Sequence, residues 1–464
     1  TIEYNNGKFY VACTVVRGKG NYIVTADDPA GPWSDPYWLP EVDGIDPALF
    51  FDNDGRTYLV FNSNPPEDNP LYDGHRTIRM FEMDMEKMAV KGEEKILING
   101  GVDITQSPAW IEGPHIYKVN DYYYICAAEG GTSVNHRQVI FRSDDVDGPY
   151  IPWEKNPILT QMHLDPTRAN PITSTGHADL IQDLKGNWWA VFLACRPYEG
   201  NHYNLGRETY MAPVRWEDGW PIINPANEEV QYSYEFDAAL ETPQGYEGLS
   251  GSFVKRDEFV EDELDLYWMT IRTPYEDWYL LRPHDGGVLS MQVRPYSLLE
   301  KDNPSFIGRR QQHISSSATT ALRFSPVTPD EKGGITIFQN VGHFYFLCKS
   351  FVDNQPVVQL FQSLEDGGMK LLDQKTLSTN SDLLKLKIES QKDHYRCYFA
   401  EGDEGWNPIG SDLDAKLLST ETAGGFNGCL YGMFAVNMDD KMASSSIVNY
   451  YWFEYEGNDE GVVR

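Results

Sequence analysis

Residues 110–125 read WIEGPHIYKVNDYYYI, and this stretch decides the fold. Within it, the runs IYKV and YYYI flank a two-residue polar turn at Asn120 and Asp121. Aromatic and β-branched residues on both sides of such a turn are typical of a β-hairpin. The acidic residue Glu112 stands at the head of the first strand. The stretch therefore predicts a hairpin that begins with a carboxylate.

The same plan of strand, polar turn and aromatic strand recurs through the first half of the chain. The four copies are residues 2–11 (IEYNNGKFYV), 47–60 (PALFFDNDGRTYLV), 114–125 (PHIYKVNDYYYI) and 178–192 (ADLIQDLKGNWWAVF). Each copy is expected to open a four-stranded antiparallel sheet, and radial repetition of such sheets is a β-propeller. Because the first copy begins at once, the pattern predicts that an earlier blade is absent from this chain.

The second half of the chain has a different pattern. Short strand-like runs separated by turns continue from residue 251 to residue 455, which is typical of a β-sandwich. The predicted organisation is an all-β chain with a partial propeller domain at 1–224, a linker at 225–235 and a β-sandwich at 236–464.

Composition restricts the classes of partner. The chain has 464 residues, with 70 acidic against 38 basic side chains and a formal charge of −32. This charge argues against nucleic acid and against anionic membranes, because phosphate contacts require basic residues. No apolar run approaches membrane-spanning length. The opening TIEYNNGKFYVAC is typical of the middle of a domain, so no compartment is assigned.

All six cysteines lie in or beside apolar, strand-like runs, and none forms a CxxC pair. We expect them to be small buried hydrophobic residues, in preference to disulfides or metal ligands. They are Cys13, Cys126, Cys195, Cys348, Cys397 and Cys429.

Four polar residues stand at the heads of strands that would face the propeller channel: Asp46, Glu112, His177 and Arg207. Inner strands of a propeller converge on one channel, so these side chains are expected to meet. Hydrolysis of a glycoside requires one carboxyl group that donates a proton and another that activates water or attacks carbon. A second negative charge nearby raises the pKa of the proton donor. The set therefore predicts acid/base chemistry on a sugar.

These stretches resemble glycoside hydrolase family 43, in its β-xylosidase branch with an appended C-terminal domain. The resemblance is carried by motifs over nearly the whole chain: NYIVTADDPAGPWSDP, GIDPALFFDNDGR, EGPHIYK, AEGGT, TSTGHADL, WWAVFLACRP, LGRETYMAPVRWEDGWP and RRQQH. It implies a five-bladed propeller, whose first blade is largely missing here, followed by a concanavalin-like β-sandwich.

The resemblance also implies roles for single residues. Glu112 resembles the general acid, Asp46 the residue that tunes its pKa and orients it, and Arg207 the arginine that contacts the sugar. His177 resembles the channel histidine, which in some members lies beside a bound calcium or a water. Phe426 of TAGGFNG resembles the aromatic residue that reaches over the propeller mouth. Glu129 of AEGG is expected to line the pocket.

One member of the family's catalytic set has no counterpart in this sequence. The general base is an aspartate of a first-blade motif, before the stretch that matches Thr1. We expect this base upstream of Thr1, and the chain alone is then expected to be inactive.

The predicted function is an inverting exo-glycosidase that releases terminal xylose from xylo-oligosaccharides of plant hemicellulose. An α-L-arabinofuranosidase is the first alternative. A non-catalytic carbohydrate-binding protein is the second, if the base is truly absent, and a propeller that serves only as an interaction scaffold is the third. No cofactor is expected to be required, although a structural calcium in the channel and a homo-oligomer fit the resemblance. Each site residue also has a purely structural interpretation, such as a turn carboxylate for Glu112 or ordinary packing for Phe426.

Overall fold

The computed structural model describes residues 1–235, 249–378, 383–439 and 444–462. Nearly all regular structure in these ranges is β-strand, as predicted. The helical segments found there are one α-helix, Thr420–Ala423, and the short 3₁₀ helices Pro66–Asp68, Ile104–Gln106, Pro283–Asp285 and Ala415–Leu418. None of the helices in the described ranges is long and apolar enough to cross a membrane.

The first half forms four antiparallel blades of a propeller. Blade one contains β1 (Ile2–Asn5), β2 (Lys8–Val15), β3 (Gly20–Ala26) and β4 (Tyr37–Leu39). Blade two contains β5 (Ile45–Phe51), β6 (Thr57–Ser63), β7 (Thr77–Asp84) and β8 (Ala89–Asn99). Blade three contains β9 (Glu112–Val119), β10 (Tyr122–Glu129), β11 (Arg137–Ser143), β12 (Ile151–Pro152) and β13 (Leu159–Thr160). Blade four contains β14 (Thr173–Gln182), β15 (Trp188–Cys195), β16 (Glu208–Glu217) and β17 (Trp220–Ile223).

The first two strands of every blade are the hairpins predicted from the repeat. Each predicted turn centre has positive φ, at 83° for Gly7, 89° for Gly55, 68° for Asp121 and 85° for Gly186. Tight hairpin turns need this left-handed backbone because it matches the twist of the flanking strands. The residues that tolerate positive φ at these turns therefore mark the start of each repeat in the sequence.

Neighbouring blades pack face to face through apolar side chains. In β6, Leu59 and Phe61 lie in the cluster shared with blade one, whereas Val60 lies in the cluster shared with blade three. This alternation follows from the two-residue period of a strand. Each such buried side chain contributes roughly 1.5–3 kcal/mol to folding.

The second half is a sandwich of two antiparallel sheets. The first sheet has the order β20-β21-β32-β23-β28-β29-β30 with β18 beside β32, and the second has the order β19-β22-β31-β24-β25-β26-β27. Their bounds are β18 (Phe253–Asp257), β19 (Met269–Thr270), β20 (Tyr279–Leu281), β21 (Leu289–Gln292), β22 (Ser305–Arg310), β23 (Ser315–Arg323), β24 (Glu331–Asn340), β25 (His343–Val352), β26 (Gln355–Ser363), β27 (Met369–Thr376), β28 (Leu384–Gln391), β29 (His394–Glu401), β30 (Asn407–Asp414), β31 (Leu430–Asn437) and β32 (Ile447–Asn458). A single apolar cluster, which includes Ile335 and Leu386, fills the space between them.

Residues 225–235, the predicted linker, contain no strand. Val230 nevertheless packs in the apolar cluster that blades three and four share. The boundaries at 224 and 235 stay predictions, and the first residues of the predicted sandwich domain, 236–248, lie outside the described residues.

All six cysteines are free thiols, and five of them are buried as predicted. Cys13 corrects the prediction because its side chain is exposed. It follows Ala12 on β2, where Ala12 points into the core, so the strand period directs Cys13 to the opposite face.

Candidate active site

The first strands of blades two, three and four bring three of the predicted residues together. Asp46 lies in β5, Glu112 begins β9 and His177 lies in β14, and these strands are neighbours. The backbone N–H of Gly113 donates to Asp46 Oδ2 at 3.1 Å. His177 Nε2 lies 3.5 Å from the same oxygen. Residues far apart in sequence thus form one polar cluster.

The backbone is irregular at Asp46 and at His177. Asp46 and His177 have φ values of 55° and 56°, which are uncommon for residues with a Cβ. The ladder between β14 and β15 also shifts register on both sides of Gly176. Such irregularities re-aim side chains and occur beside active sites. Here they turn His177 toward Asp46.

Glycine is required between the two carboxylates. A Cβ on Gly113 would lie 2.5 Å from Cε1 of His177, and the φ of this residue is 56°. Real Cβ atoms do not approach another atom this closely. The imidazole of His177 can therefore lie this close to β9 only because residue 113 is a glycine.

Burial and charge shift the pKa values of Glu112 and Asp46 in opposite directions. Burial and the negative charge of Asp46 raise the pKa of Glu112, which is 7% exposed. Burial would also raise the pKa of Asp46, but hydrogen bonds from His177 and the Gly113 N–H hold it below its usual value. Although burial opposes it, the hydrogen bond to Asp46 raises the pKa of His177. The arrangement favours a protonated Glu112 beside an ionised Asp46, as general acid catalysis requires.

Arg207 corrects the prediction, because it precedes β16, the third strand of blade four, and does not stand at the head of an inner strand. It meets Phe426 across the boundary between propeller and sandwich. The Arg207 guanidinium lies 3.9 Å from the centre of the Phe426 ring. The backbone N–H of Arg207 donates to the backbone carbonyl of Phe426 at 3.3 Å. The neighbouring residues Gly206 and Asn427 form an isolated antiparallel bridge. The positive charge of Arg207 also reaches Glu112, where it acts to lower the pKa.

The two side chains of this contact differ in exposure. Nη2 of Arg207 is buried and makes no hydrogen bond within the described part of the chain. The Phe426 side chain is 54% exposed. The exposed ring is therefore the part of this contact that a ligand can reach. The structure thus brings Arg207 and Phe426 together, and their role in sugar binding stays a prediction.

Glu129 lies at the end of β10, next to the strand that begins with Glu112, but its carboxylate has other partners. It accepts hydrogen bonds from Arg137 Nη2 at 2.6 Å and from the Val102 N–H at 2.9 Å. Its side chain is 3% exposed. These contacts hold the loop before Glu112, and the structure does not bring Glu129 into the polar cluster. Its predicted place in the pocket lining stays a prediction.

The calcium ion that the family resemblance places beside His177 lacks a ligand set in the described residues. Calcium takes about six to eight oxygen ligands. Within the described ranges, no group of three or more His, Cys, Asp or Glu side chains is placed to hold a metal ion. His177 offers nitrogen, and Asp46 is engaged by His177 and Gly113. These residues do not fit a calcium site by themselves.

Two residues near the cluster were not assigned a role from the sequence. Trp110 lies two residues before Glu112, and its indole acts to lower the pKa of the Glu112 carboxyl group. His136 is 1% exposed, and its Nδ1 lies 3.0 Å from the Ser174 carbonyl beneath Gly176. Burial lowers the pKa of His136 to about 4, so its ring is neutral. The sequence offered one signal for Trp110, its position two residues before Glu112. The contact of His136 with Ser174 of the TSTGH motif is visible only in the structure.

Comparisons with known families match both halves of the chain. Residues 1–221 match the model described as glycosyl hydrolases family 43. Residues 256–456 match the model described as β-xylosidase C-terminal concanavalin A-like domain.

Whole-chain comparisons find relatives over nearly the full length. A xylosidase/arabinosidase from Butyrivibrio fibrisolvens is 35% identical, over 98% of this chain and 85% of that protein. A non-reducing end α-L-arabinofuranosidase from Bacteroides ovatus is 33% identical, over 98% of this chain and 80% of that protein. The crystal structure of a xylan β-1,4-xylosidase from Bacillus halodurans C-125 is 28% identical, with a TM-score of 0.85 over 98% of this chain and 85% of that one.

Proposed function

Because the chain belongs to glycosyl hydrolase family 43, we propose that it is an inverting exo-β-xylosidase that releases terminal xylose from hemicellulose oligosaccharides. The observation that carries the proposal is the pair formed by buried Glu112, whose pKa is raised, and Asp46, whose pKa is lowered. The family resemblance and the 35% identical xylosidase/arabinosidase support the pentose substrate.

In the proposed reaction, Glu112 donates its proton to the glycosidic oxygen as the bond between that oxygen and the sugar carbon breaks. A water attacks the same carbon from the opposite face, which inverts its configuration. Asp46 keeps Glu112 protonated before the reaction by its charge and, through the Gly113 N–H, fixes the start of β9. The proton of the attacking water passes to a carboxylate that acts as general base, an aspartate by the family resemblance.

Arg207 and Phe426 are the proposed contacts of the terminal sugar. The Arg207 guanidinium is a type of donor that binds sugar hydroxyl groups, and the exposed Phe426 ring offers an apolar face. Because Phe426 belongs to the sandwich, that domain would narrow the mouth into a pocket. A pocket of this kind favours removal of single terminal sugars over cleavage within a chain.

An α-L-arabinofuranosidase is the second candidate, and the observation that favours it is the 33% identical Bacteroides ovatus relative. Hydrolysis of p-nitrophenyl β-D-xylopyranoside and p-nitrophenyl α-L-arabinofuranoside by the full-length protein separates the two. We expect a higher kcat/KM for the xyloside, and a reversed preference would assign the second function. Nuclear magnetic resonance of the first product formed from xylobiose should show inverted configuration at the released xylose.

The variant Glu112→Gln tests the proton donor in either case. It should lower kcat on xylobiose by at least about a hundredfold, since general acid catalysis contributes 10²–10⁴. Unchanged activity would contradict the proposed function. The expected homo-oligomer stays a prediction, which sedimentation velocity can check.

A further inference from the structure

Asn62 lies between the strands that carry Asp46 and Glu112. It is the second-last residue of β6, and its backbone pairs with Ile45, the residue before Asp46. The ladder between β5 and β6 becomes irregular directly after this pair, and Asp46 lies in the irregular part. The backbone of Asn62 therefore holds the start of β5 at the point where Asp46 leaves the regular strand.

The side chain of Asn62 reaches across to the start of blade three. Its N–H donates to the backbone carbonyl of Ile111, the residue before Glu112, and both partners are almost fully buried. A buried carbonyl that loses its donor is costly, so this hydrogen bond resists displacement of the chain at Ile111. On the other side of Glu112, the Gly113 N–H is bound to Asp46. The backbone around Glu112 is thus attached to blade two before and after the carboxylate.

Buried carboxamide side chains make contacts of the same kind at the rest of the cluster. Asn21 of β3 donates to the carbonyl of Gly44, two residues before Asp46, at 2.9 Å. Gln138 of β11 donates to the carbonyl of Ala178, the residue after the cluster histidine, at 3.3 Å and accepts from its N–H at 2.9 Å. In each case the amide comes from the preceding blade and is fully buried. The contact of Asn62 is therefore one instance of a device that recurs around the channel.

We propose that Asn62 is a positioning residue that sets the separation of Asp46 and Glu112, because it binds the backbone immediately before each of them. This inference rests on the proposed function. The attraction or repulsion between two charged groups falls with their distance. A shift of Glu112 away from Asp46 therefore weakens the effect of the Asp46 charge on the proton donor, and it also moves the donor relative to the glycosidic oxygen.

The variant Asn62→Leu tests the proposal because leucine has nearly the shape of asparagine but no donor. The start of β9 should move when the Ile111 carbonyl loses its partner, and kcat/KM for xylobiose should fall at least about tenfold. Because the negative charge of Asp46 raises the pKa of Glu112, a larger separation should lower that pKa. The alkaline limb of the kcat/KM profile should therefore move to lower pH.

The double variant Asn62→Leu/Asp46→Asn distinguishes a change of spacing from a general loosening of the site. If Asn62 acts through the distance to the Asp46 charge, its replacement should move the alkaline limb little once that charge is gone. The shifts of the two single variants should then not add. Fully additive shifts would contradict the proposed role.

Asn303 in the sandwich provides a matched control. It is as deeply buried as Asn62, and its side chain donates to the backbone carbonyl of Ile271 at 3.0 Å. Asn303→Leu should lower the urea midpoint of unfolding, because it removes a hydrogen bond of the same kind. It should leave the alkaline limb of the kcat/KM profile in place.

The outcomes separate this inference from the proposed function. An unmoved alkaline limb in Asn62→Leu would assign Asn62 a structural role and overturn the inference, while Glu112→Gln remained inactive. If Asn62→Leu fails to fold, Asn62→Ser decides by the same criterion, because its hydroxyl group is too short to reach the Ile111 carbonyl. Full activity of Glu112→Gln would instead remove the proposed function itself.

Discussion

The guanidinium of Arg207 and the ring of Phe426 are stacked at 3.9 Å, although 219 positions separate these two residues in the sequence. One belongs to the loop between β15 and β16 of the propeller, and the other to the sandwich. The exposed Phe426 ring and the Arg207 guanidinium thus lie side by side at the boundary between the two halves. The candidate pocket is built jointly by the two halves of the chain.

Removing this ring should weaken sugar binding more than chemistry. We expect Phe426→Ala to raise KM for xylobiose about tenfold, because the guanidinium loses the ring that covers it, with a smaller change in kcat. Steady-state kinetics on the full-length protein measure both. Trp406→Ala is the control, since that exposed ring stacks with Lys387 on the sandwich. A dominant effect on kcat would argue against a binding role for Phe426.

Asp46→Asn should shift the pH dependence in a defined direction. The negative charge of Asp46 raises the pKa of Glu112, so neutralising it should lower that pKa and move the alkaline limb to lower pH. At neutral pH less Glu112 is then protonated, and kcat/KM should fall at least about tenfold. Measurement of kcat/KM as a function of pH, from acid to alkaline, shows whether the alkaline limb has moved. Asp54→Asn, which breaks an exposed pair with Arg56, should leave the profile in place, and an upward shift for Asp46→Asn would refute the assignment.

Gly113→Ala should displace His177. The new Cβ would lie 2.5 Å from the imidazole, so the ring must move away from Asp46 or the strand must shift. We expect kcat to fall at least about tenfold, since misplacement of a site by about 1 Å can cost a hundredfold. Gly7→Ala is the control that separates backbone strain from the steric clash with His177. Gly7 also has positive φ, but the Cβ of an alanine there would have no atom within 4 Å. Comparable kinetics for the two variants would show that the collision is unimportant.

Glu129→Gln should affect stability more than catalysis. It removes the charge from a buried pair whose carboxylate is 3% exposed and whose arginine is 22% exposed. We expect a loss of about 1–3 kcal/mol in the free energy of unfolding, measured by urea titration. The exposed pair of Lys91 and Glu82 offers a control, since Lys91→Gln should cost less than about 1 kcal/mol. A selective loss of sugar affinity in Glu129→Gln would instead support the predicted pocket lining.

The parts of the fold that local chemistry determines could be predicted from the sequence. Gly7, Gly55 and Gly186 mark turns that need positive φ, and these turns set the repeat and hence the propeller. Asp46, Glu112 and His177 could be brought together because each stands in the first strand of its own unit. Equivalent positions in the blades of a propeller converge on one channel, so the proximity of these side chains could be predicted without any distance.

Long-range and side-chain detail could not be predicted in the same way. Whether Glu129 faces the pocket or pairs with Arg137 depends on a rotamer that the loop at Val102 selects. The left-handed Trp110 results from contacts with blade two, which no local propensity indicates. The exposed face of Cys13 depends on which side of β2 the next blade covers. Such features arise from packing between units.

The backbone bridge between Gly206 and Asn427 has an evolutionary consequence. A Cβ on Gly206 would lie 2.3 Å from the backbone nitrogen of Gly428, so the two segments touch with no space for a side chain. A sandwich exchanged for another domain would have to preserve this contact, because it also holds the Phe426 ring against Arg207. Under the proposed function, recombination between the halves is therefore constrained, whereas substitutions in the loop at Phe426 would alter substrate preference without moving Glu112.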